Sequence, residues 1–351
     1  MSTAAAGRRT WRRKLAIAVA SLVAFFALAE VGLRLAGYPR VGGMRWIADD
    51  ELQQLPAPFQ DAIRGDDEPG REPIRVRINS HSLRGEDFPS AKPAGEKRVL
   101  VVGDSLTFGA GVDEDEAFPA RLEQALAAAG APARVVNAGV NGWACWHYRR
   151  WLEARGFALA PDALVVAVFF GNDMEGPRLL PRVGPAWLEN ALERTATFDW
   201  LLALYRERLW KQVRAWRQGV SVAEVEAELA AYTGGAENAR SAEQQLEIWR
   251  AQAFPQLEAL RDEAQARGLP LLVALIPTYV ACKAPATPRP YRLWREALGE
   301  LGLDCVDLEP LLRPSGDGAW LSWDHGHLNA QGCADVGAAL AKEVLARGWL
   351  R

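Results

Sequence analysis

The sequence predicts an α/β fold of three layers, a doubly wound parallel sheet between helices, with a helical insertion and an N-terminal membrane helix. Three observations predict it. From Arg98 onward, short β-branched runs of strand length alternate with helical segments, the order expected of a parallel sheet. Two of these runs, residues 163–170 and 271–276, are apolar throughout, as strands covered on both faces are. At the other end of the chain a basic cluster, Arg8, Arg9, Arg12, Arg13 and Lys14, abuts an uncharged apolar run over residues 15–29.

That run is shorter than the roughly 20 residues a membrane span needs, but apolar character resumes past Glu30 through Val31, Gly32 and Leu33. Residues 1–37 are therefore expected to be a signal anchor, with the arginine-rich end held in the cytoplasm. A cleaved signal peptide is the alternative, because Ala27-Leu28-Ala29 has the small-x-small form of a cleavage site. Either way the chain beyond about Tyr38 lies outside the cytoplasm, anchored in the first case and secreted in the second.

Residues 38–96 form an extension and linker, with turn-rich stretches at 65–70 and 89–93. Within them, 73–79 alternates apolar and basic residues as a half-exposed strand does. The principal domain is 97–351. Its first strand, 98–102, stops at Gly103, and a helix over 117–129 ends at Gly130, a suitable C-terminal cap. Strand 134–137 and helix 146–155 follow, then strand 163–170. Strand 271–276 ends before Pro277, a fifth strand spans 304–308, and a helix over 328–346 closes the chain. Residues 177–260 lack a convincing strand and carry Trp187, Trp200, Trp210, Trp216 and Trp249 among Leu and Ala at helical spacing. This is the insertion. Its tryptophans are expected to pack it against the main domain; a lid, a substrate groove or a surface lying on the membrane are the other readings.

A hydrophobic content of 49% and a charged content of 24% suit a globular protein with a large core. A net charge of -3 leaves no basic footprint for nucleic acid. Cys145, Cys282, Cys305 and Cys333 lack the close pairing of a zinc site, and disulfides and free thiols both remain open for them.

Four short motifs carry the chemistry, three at strand ends and one before the last helix. Gly103-Asp104-Ser105-Leu106 places a serine on a glycine-flanked turn, where its hydroxyl is exposed and its N–H can face a developing oxyanion. A serine needs an adjacent base. Asp324-His325-Gly326-His327 supplies one: His327 can take the proton, and Asp324 can hold the imidazole and stabilise its charge. His325, His327 and Asp324 could instead bind a metal, but no further His or Cys cluster completes a shell. Asn137-Ala138-Gly139 offers a backbone N–H at a position where a glycine allows close approach. Gly171-Asn172-Asp173 offers a side-chain amide, a good oxyanion donor in a dry site.

Together and in this order the motifs resemble the GDS, Gly, GxND and DxxH blocks of the SGNH/GDSL hydrolases. The resemblance implies a flavodoxin-like fold and a catalytic triad of Ser105, His327 and Asp324. It also implies an oxyanion hole from Ser105, Gly139 and Asn172. The leading glycine of the third block would fall at Phe170; here the glycine is Gly171. Residues 78–85 (INSHSLRG) resemble the NSxGxRG segment of exported, membrane-anchored bacterial members, with Ser82 where those have glycine and with His81 as a loop residue. Such a protein would cleave carboxylic esters, of small molecules or of O-acyl groups on cell-envelope glycans, on the periplasmic side and without a cofactor. An O-acyltransferase using the same triad, or a non-catalytic binding protein on the same fold, are the alternatives. Trp143, Trp146 and Trp151 could stack on a sugar, though core packing of the following helix accounts for them as well.

Overall fold

The structure, a computed structural model, describes residues 3–36, 44–64, 73–174, 176, 183–226 and 240–350. The chain divides into two compact units: Met1–Gly43 with Pro181–Glu226, and Met44–Leu180 with Ala227–Arg351.

The larger unit opens with two antiparallel pairs, β1 (Trp46–Asp49) with β2 (Gln53–Pro56) and β3 (Gln60–Arg64) with β4 (Ile74–Ile78). The alternation expected at 73–79 is realised in β4: Ile74, Val76 and Ile78 are buried while Arg75 and Arg77 turn outward to Asp61 and Glu114. The main sheet holds five parallel strands, β5 (Arg98–Gly103), β6 (Arg134–Gly139), β7 (Ala163–Phe169), β8 (Leu271–Ile276) and β9 (Cys305–Asp307). Their order is β6-β5-β7-β8-β9. β7 is buried on both faces, as its uninterrupted apolar run requires. The edge strand β9 is shorter than the expected 304–308, since only three of its residues pair with β8.

One face of the sheet is covered by α4 (Cys145–Trp151), α8 (Ala242–Gln252), α9 (Phe254–Ala266) and α11 (Arg289–Glu300), through Tyr148, Trp151, Trp249, Leu257 and Trp294. The other is covered by α3 (Phe118–Ala128) and α13 (Ala330–Ala346), through Phe118, Leu122, Val336 and Leu340. Trp143 and Trp151 are core residues, which settles their place in favour of packing. The stretch expected to be one insertion therefore divides. Leu257, Leu260 and Ala264 recur at helical spacing and point at the sheet, so α8 and α9 belong to the β7–β8 crossover. Because β6 lies on one side of β5 and β7 on the other, the strand order reverses at β5, where open α/β sheets form a crevice at their C-terminal edge.

The smaller unit contains α1 (Thr3–Leu35), α5 (Ala186–Leu192), α6 (Ala196–Leu204) and α7 (Trp210–Gln218). Within α1, Arg13–Leu35 is long and apolar enough to cross a membrane. Trp187, Trp200 and Trp216 are exposed on the helices of this unit; helical spacing marks an apolar face without saying what covers it.

Ser82 has φ +62°, the left-handed conformation that explains why a glycine suits this position. A different glycine sets the distance between α3 and α13. A Cβ on Gly337 would lie 2.6 Å from Arg121 Cβ and 2.8 Å from the Leu122 nitrogen. Gly337→Ala should therefore destabilise the protein by about 1–3 kcal/mol through overpacking. Gly299→Ala, in α11 with nothing within 4 Å of the added carbon, should not lower stability. Denaturant midpoints of the two variants check both; an unchanged midpoint for Gly337→Ala would refute the packing argument.

Candidate active site

β5 delivers the serine. Its last residue, Gly103, has no room for a side chain, since a Cβ would come within 1.9 Å of Thr107 Oγ1. The chain turns there directly into α2 (Ser105–Phe108). Asp104 caps this turn by accepting from the Leu106 N–H at 2.9 Å. Ser105 is thereby held at the C-terminal edge of the sheet, half-buried.

The second half of the site precedes α13. Trp320 and Leu328 form an isolated bridge, and Leu321 N–H donates to the His327 carbonyl, which closes the loop carrying Asp324 and His327. Asn329 fixes its end: its Oδ1 accepts from the Gly332 N–H and its Nδ2 donates to the Gly318 and Trp320 carbonyls. Asp324 Oδ1 accepts from the Gly326 and His327 N–H groups at 2.8 and 3.1 Å. Its Oδ2 lies 2.6 Å from His327 Nδ1. His327 Nε2 lies 2.9 Å from Ser105 Oγ. An ionised Asp324 accepts a hydrogen bond from Nδ1–H, which fixes the proton there and leaves Nε2 as the acceptor for the serine hydroxyl. Partial burial works against the Asp324 charge, but the bonds from His327 and the two backbone N–H groups outweigh it and hold the carboxyl below its ordinary range. Ser105 Oγ is also 3.4 Å from Asp104 Oδ2. The shorter contact to Nε2 makes the imidazole the better partner for its single proton.

His325 does not join this group. It has φ +49° and stacks on Tyr279 with ring centroids 4.5 Å apart. Gly139 does reach the turn that carries Ser105: a Cβ there would sit 2.2 Å from the Phe108 nitrogen. Its N–H, however, donates to Asn137 Oδ1 at 3.0 Å. Asn172 follows the end of β7, and among the described residues no hydrogen bond engages its side chain. It lines a cavity of about 280 Å³ together with Phe170, Trp249, Thr278, Val280 and Arg240. The displaced glycine of this block has a structural counterpart, because the Phe170 ring packs against Trp249, Tyr291 and Trp294 in the sheet-covering layer.

The roles of three groups around the site escaped the motif reading. Arg84, buried, donates to the carbonyls of Phe108, Gly109 and Val112 and so braces the loop that follows the serine. The upstream segment containing Arg84 was visible in the sequence; its partners were not. Asp173 is fully buried and accepts from Tyr148 Oη and the Phe169 N–H, both at 2.6 Å. Burial pushes its carboxyl well up, and the nearby Asp104 adds to the effect. Burial likewise raises Asp104 to about 6, against the bond from Leu106 and the field of His327. The four cysteines are free thiols, three of them buried.

Comparison with known proteins places the chain in a family. The sequence model of the GDSL-like Lipase/Acylhydrolase family matches residues 101–334. No curated protein matches the chain. Among solved structures, a lipolytic protein of the G-D-S-L family from Desulfitobacterium hafniense DCB-2 is 14% identical over 70% of this chain and 99% of its own, with TM-score 0.39. A lipase/acylhydrolase from Enterococcus faecalis is 17% identical over 72% and 96%, with TM-score 0.40. An acetyl xylan esterase is 14% identical over 71% and 98%, with TM-score 0.38.

The raised Asp104 carboxyl makes stability depend on pH. A carboxyl held above its ordinary value of 3.8 binds its proton more tightly when folded. Its contribution is therefore complete below that value and is lost as pH rises through about 6. Asp104→Asn keeps an oxygen for the Leu106 N–H and removes the titration. Melting temperatures across this window should fall less steeply in the variant, with Asp173 supplying the remaining slope. An identical slope in both proteins would refute the assignment.

Proposed function

The chain belongs to the GDSL-like lipase/acylhydrolase family and is a serine hydrolase of ester bonds, and on that premise we propose that Ser105, His327 and Asp324 are its catalytic triad. One observation carries the proposal: the continuous chain of hydrogen bonds from Asp324 Oδ2 through His327 to Ser105 Oγ, at 2.6 and 2.9 Å. Ser105 Oγ attacks the ester carbonyl carbon while its proton passes to His327 Nε2. The tetrahedral intermediate collapses as Nε2 protonates the departing alkoxide, leaving an acyl-serine. Water then attacks the acyl carbon, gives its proton to Nε2, and the acid leaves as Ser105 Oγ regains that proton. The Ser105 N–H, at the first position of α2, and the Asn172 amide stabilise the oxyanion. Gly139 joins them once Asn137 Oδ1 gives up its N–H.

The cavity beside Asn172, about 280 Å³ and walled by Phe170 and Trp249, receives one arm of the ester. The natural substrate we assign is an ester with a compact arm, of a small molecule or an O-acylated envelope glycan. We assign α1 to a retained anchor that leaves the catalytic unit on the periplasmic side. Within the smaller unit Glu30 accepts from Ala196 N–H, Thr197 N–H and Thr197 Oγ1 at 3.1, 2.9 and 3.0 Å, and Phe26 stacks on Phe198. Cleavage after Ala29 would remove Phe26 and detach Glu30 from its helix, so these contacts favour retention.

Full-length protein should hydrolyse p-nitrophenyl acetate without any sugar acceptor. Ser105→Ala should lower kcat by about 10⁴-fold or more. Asn172→Ala should lower it by about 10²–10³-fold, the usual loss of one oxyanion donor. A folded Ser105→Ala protein with wild-type turnover would remove the triad, and acyl transfer that requires a sugar would replace hydrolysis. Intact mass of the membrane-extracted chain should include the residues before Ala29; a mature N-terminus at Glu30 would show the segment to be a cleaved signal.

A further inference from the structure

We propose that α6 and α7 lie in the interfacial layer of a phospholipid bilayer beside the Leu35 end of α1, so that the smaller unit forms a lipid-seated collar. The proposal rests on the reading of α1 as a retained anchor.

The first observation is a carboxylate in an apolar helix. Glu30 sits inside the candidate span Arg13–Leu35. With a rise of about 1.5 Å per residue it lies roughly 7 Å from the Leu35 end. A charge at that depth needs partners from the protein. It has them in Arg34, one turn along at 2.6 Å, and in the first N–H groups of α6. Phe198 then stacks on Phe26, one turn deeper in the span, with ring centroids 5.2 Å apart. If α1 crosses a bilayer, the first turn of α6 is level with the last turns of the span.

The second observation is the composition of α6. Between Ala196 and Leu204 it carries a single charged residue, Asp199. A helix apolar on nearly every side belongs in a protein core or in lipid. Within the smaller unit protein covers only part of it: Ala196 and Leu202 are buried, while Trp200 is 43% exposed and Leu201 and Leu204 are exposed beside it. The exposed apolar surface of α1 is of the same kind, with Leu28 at 74%.

The third observation is charge. Residues 205–218 carry Arg206, Arg208, Lys211, Arg214 and Arg217 against one acid, Glu207, with Arg206 paired to Glu189 and Glu193 and Lys211 to Glu226, and they interleave Leu209, Trp210 and Trp216. Trp216 is 81% exposed. Basic residues interspersed with tryptophan and leucine on a helix that lies along a surface match anionic headgroups above and acyl chains below. Tryptophan is the residue enriched at that boundary. Exposed Trp187, on α5, has the same character. A second protein chain would satisfy the apolar face but not its continuity with a span.

The test uses the full-length chain in vesicles of phosphatidylcholine and phosphatidylglycerol containing a phosphatidylcholine with a diazirine near the top of its acyl chain. After irradiation, lipid adducts are mapped by peptide mass spectrometry. Adducts are expected on peptides from residues 15–29 and also from 196–204 and 209–217. Adducts on 15–29 alone would overturn the collar and leave the anchor standing. Adducts on neither would overturn both. No lipid adducts on 196–217, together with links between two copies through Lys211 in a parallel sample treated with an amine-reactive bifunctional cross-linker, would assign the face to a dimer and overturn the collar. Trp216→Gln, at an exposed position, should reduce adducts on 209–217 several-fold with 15–29 unchanged; undiminished labelling would also overturn the proposal.

Discussion

The site depends on how closely the turn after β5 packs against the end of β6. Gly103 and Gly139 face each other in the parallel register. A Cβ on the first would collide with Thr107, and on the second with the Phe108 nitrogen and the Thr107 carbonyl carbon. Removing two side chains lets α2 sit directly on the sheet edge, and the serine then stands where the loop before α13 can reach it. A carbon added at Gly139 must move the backbone of the turn itself, because its nearest atoms are main chain rather than flexible side-chain ends. Close packing, more than any single polar contact, sets the position of Ser105.

Polar groups keep that seam from relaxing. Arg84 holds three carbonyls on the far side of the turn, where an unpaired main-chain oxygen would be costly to bury. Asp104 serves the near side through the Leu106 N–H. Asp104 and Asp173 both lie in the interior, and each is pushed toward its neutral form by burial. Asp324 Oδ2, 2.6 Å from His327 Nδ1, is the carboxylate in contact with the imidazole, whereas Asp104 reaches only the Ser105 hydroxyl, at 3.4 Å. The two aspartates near the base thus differ in environment: one is dry and raised, the other partly solvated, bonded by backbone N–H groups and lowered.

The central strands were legible because burial on both faces leaves no room for polar residues; the runs over 163–170 and 271–276 became β7 and β8 within a residue. The motifs at their ends were legible for a related reason, since glycine, aspartate and asparagine are what sharp strand ends require. Less was readable where partners are distant in sequence. The tryptophans of 177–260 look alike in the sequence, yet Trp249 enters the core and Trp216 does not, because only α8 and α9 continue into a strand that they must cover. The last helix begins at Ala330 rather than 328: Leu328 is held in the bridge to Trp320, and Asn329 is the cap. Arg84 and Glu30 each find carbonyl or N–H partners that no local pattern specifies.

On the proposed reading, the oxyanion side of the site is assembled less completely than the base side. His327 already has both ring nitrogens engaged, whereas the Gly139 N–H is occupied by Asn137 Oδ1 and Asn172 has no partner among the described residues. A neutral amide oxygen is a weaker acceptor than a developing oxyanion, so an incoming tetrahedral intermediate can outcompete Asn137 for that N–H. The exchange leaves Asn137 Oδ1 unpaired, near a side-chain nitrogen whose bond to the Phe108 carbonyl is long at 3.4 Å. On the same reading, the resting bond keeps Gly139 satisfied when no substrate is present, and an oxyanion would gain more from that N–H than Asn137 gives up. Only a difference of that kind accelerates the chemical step.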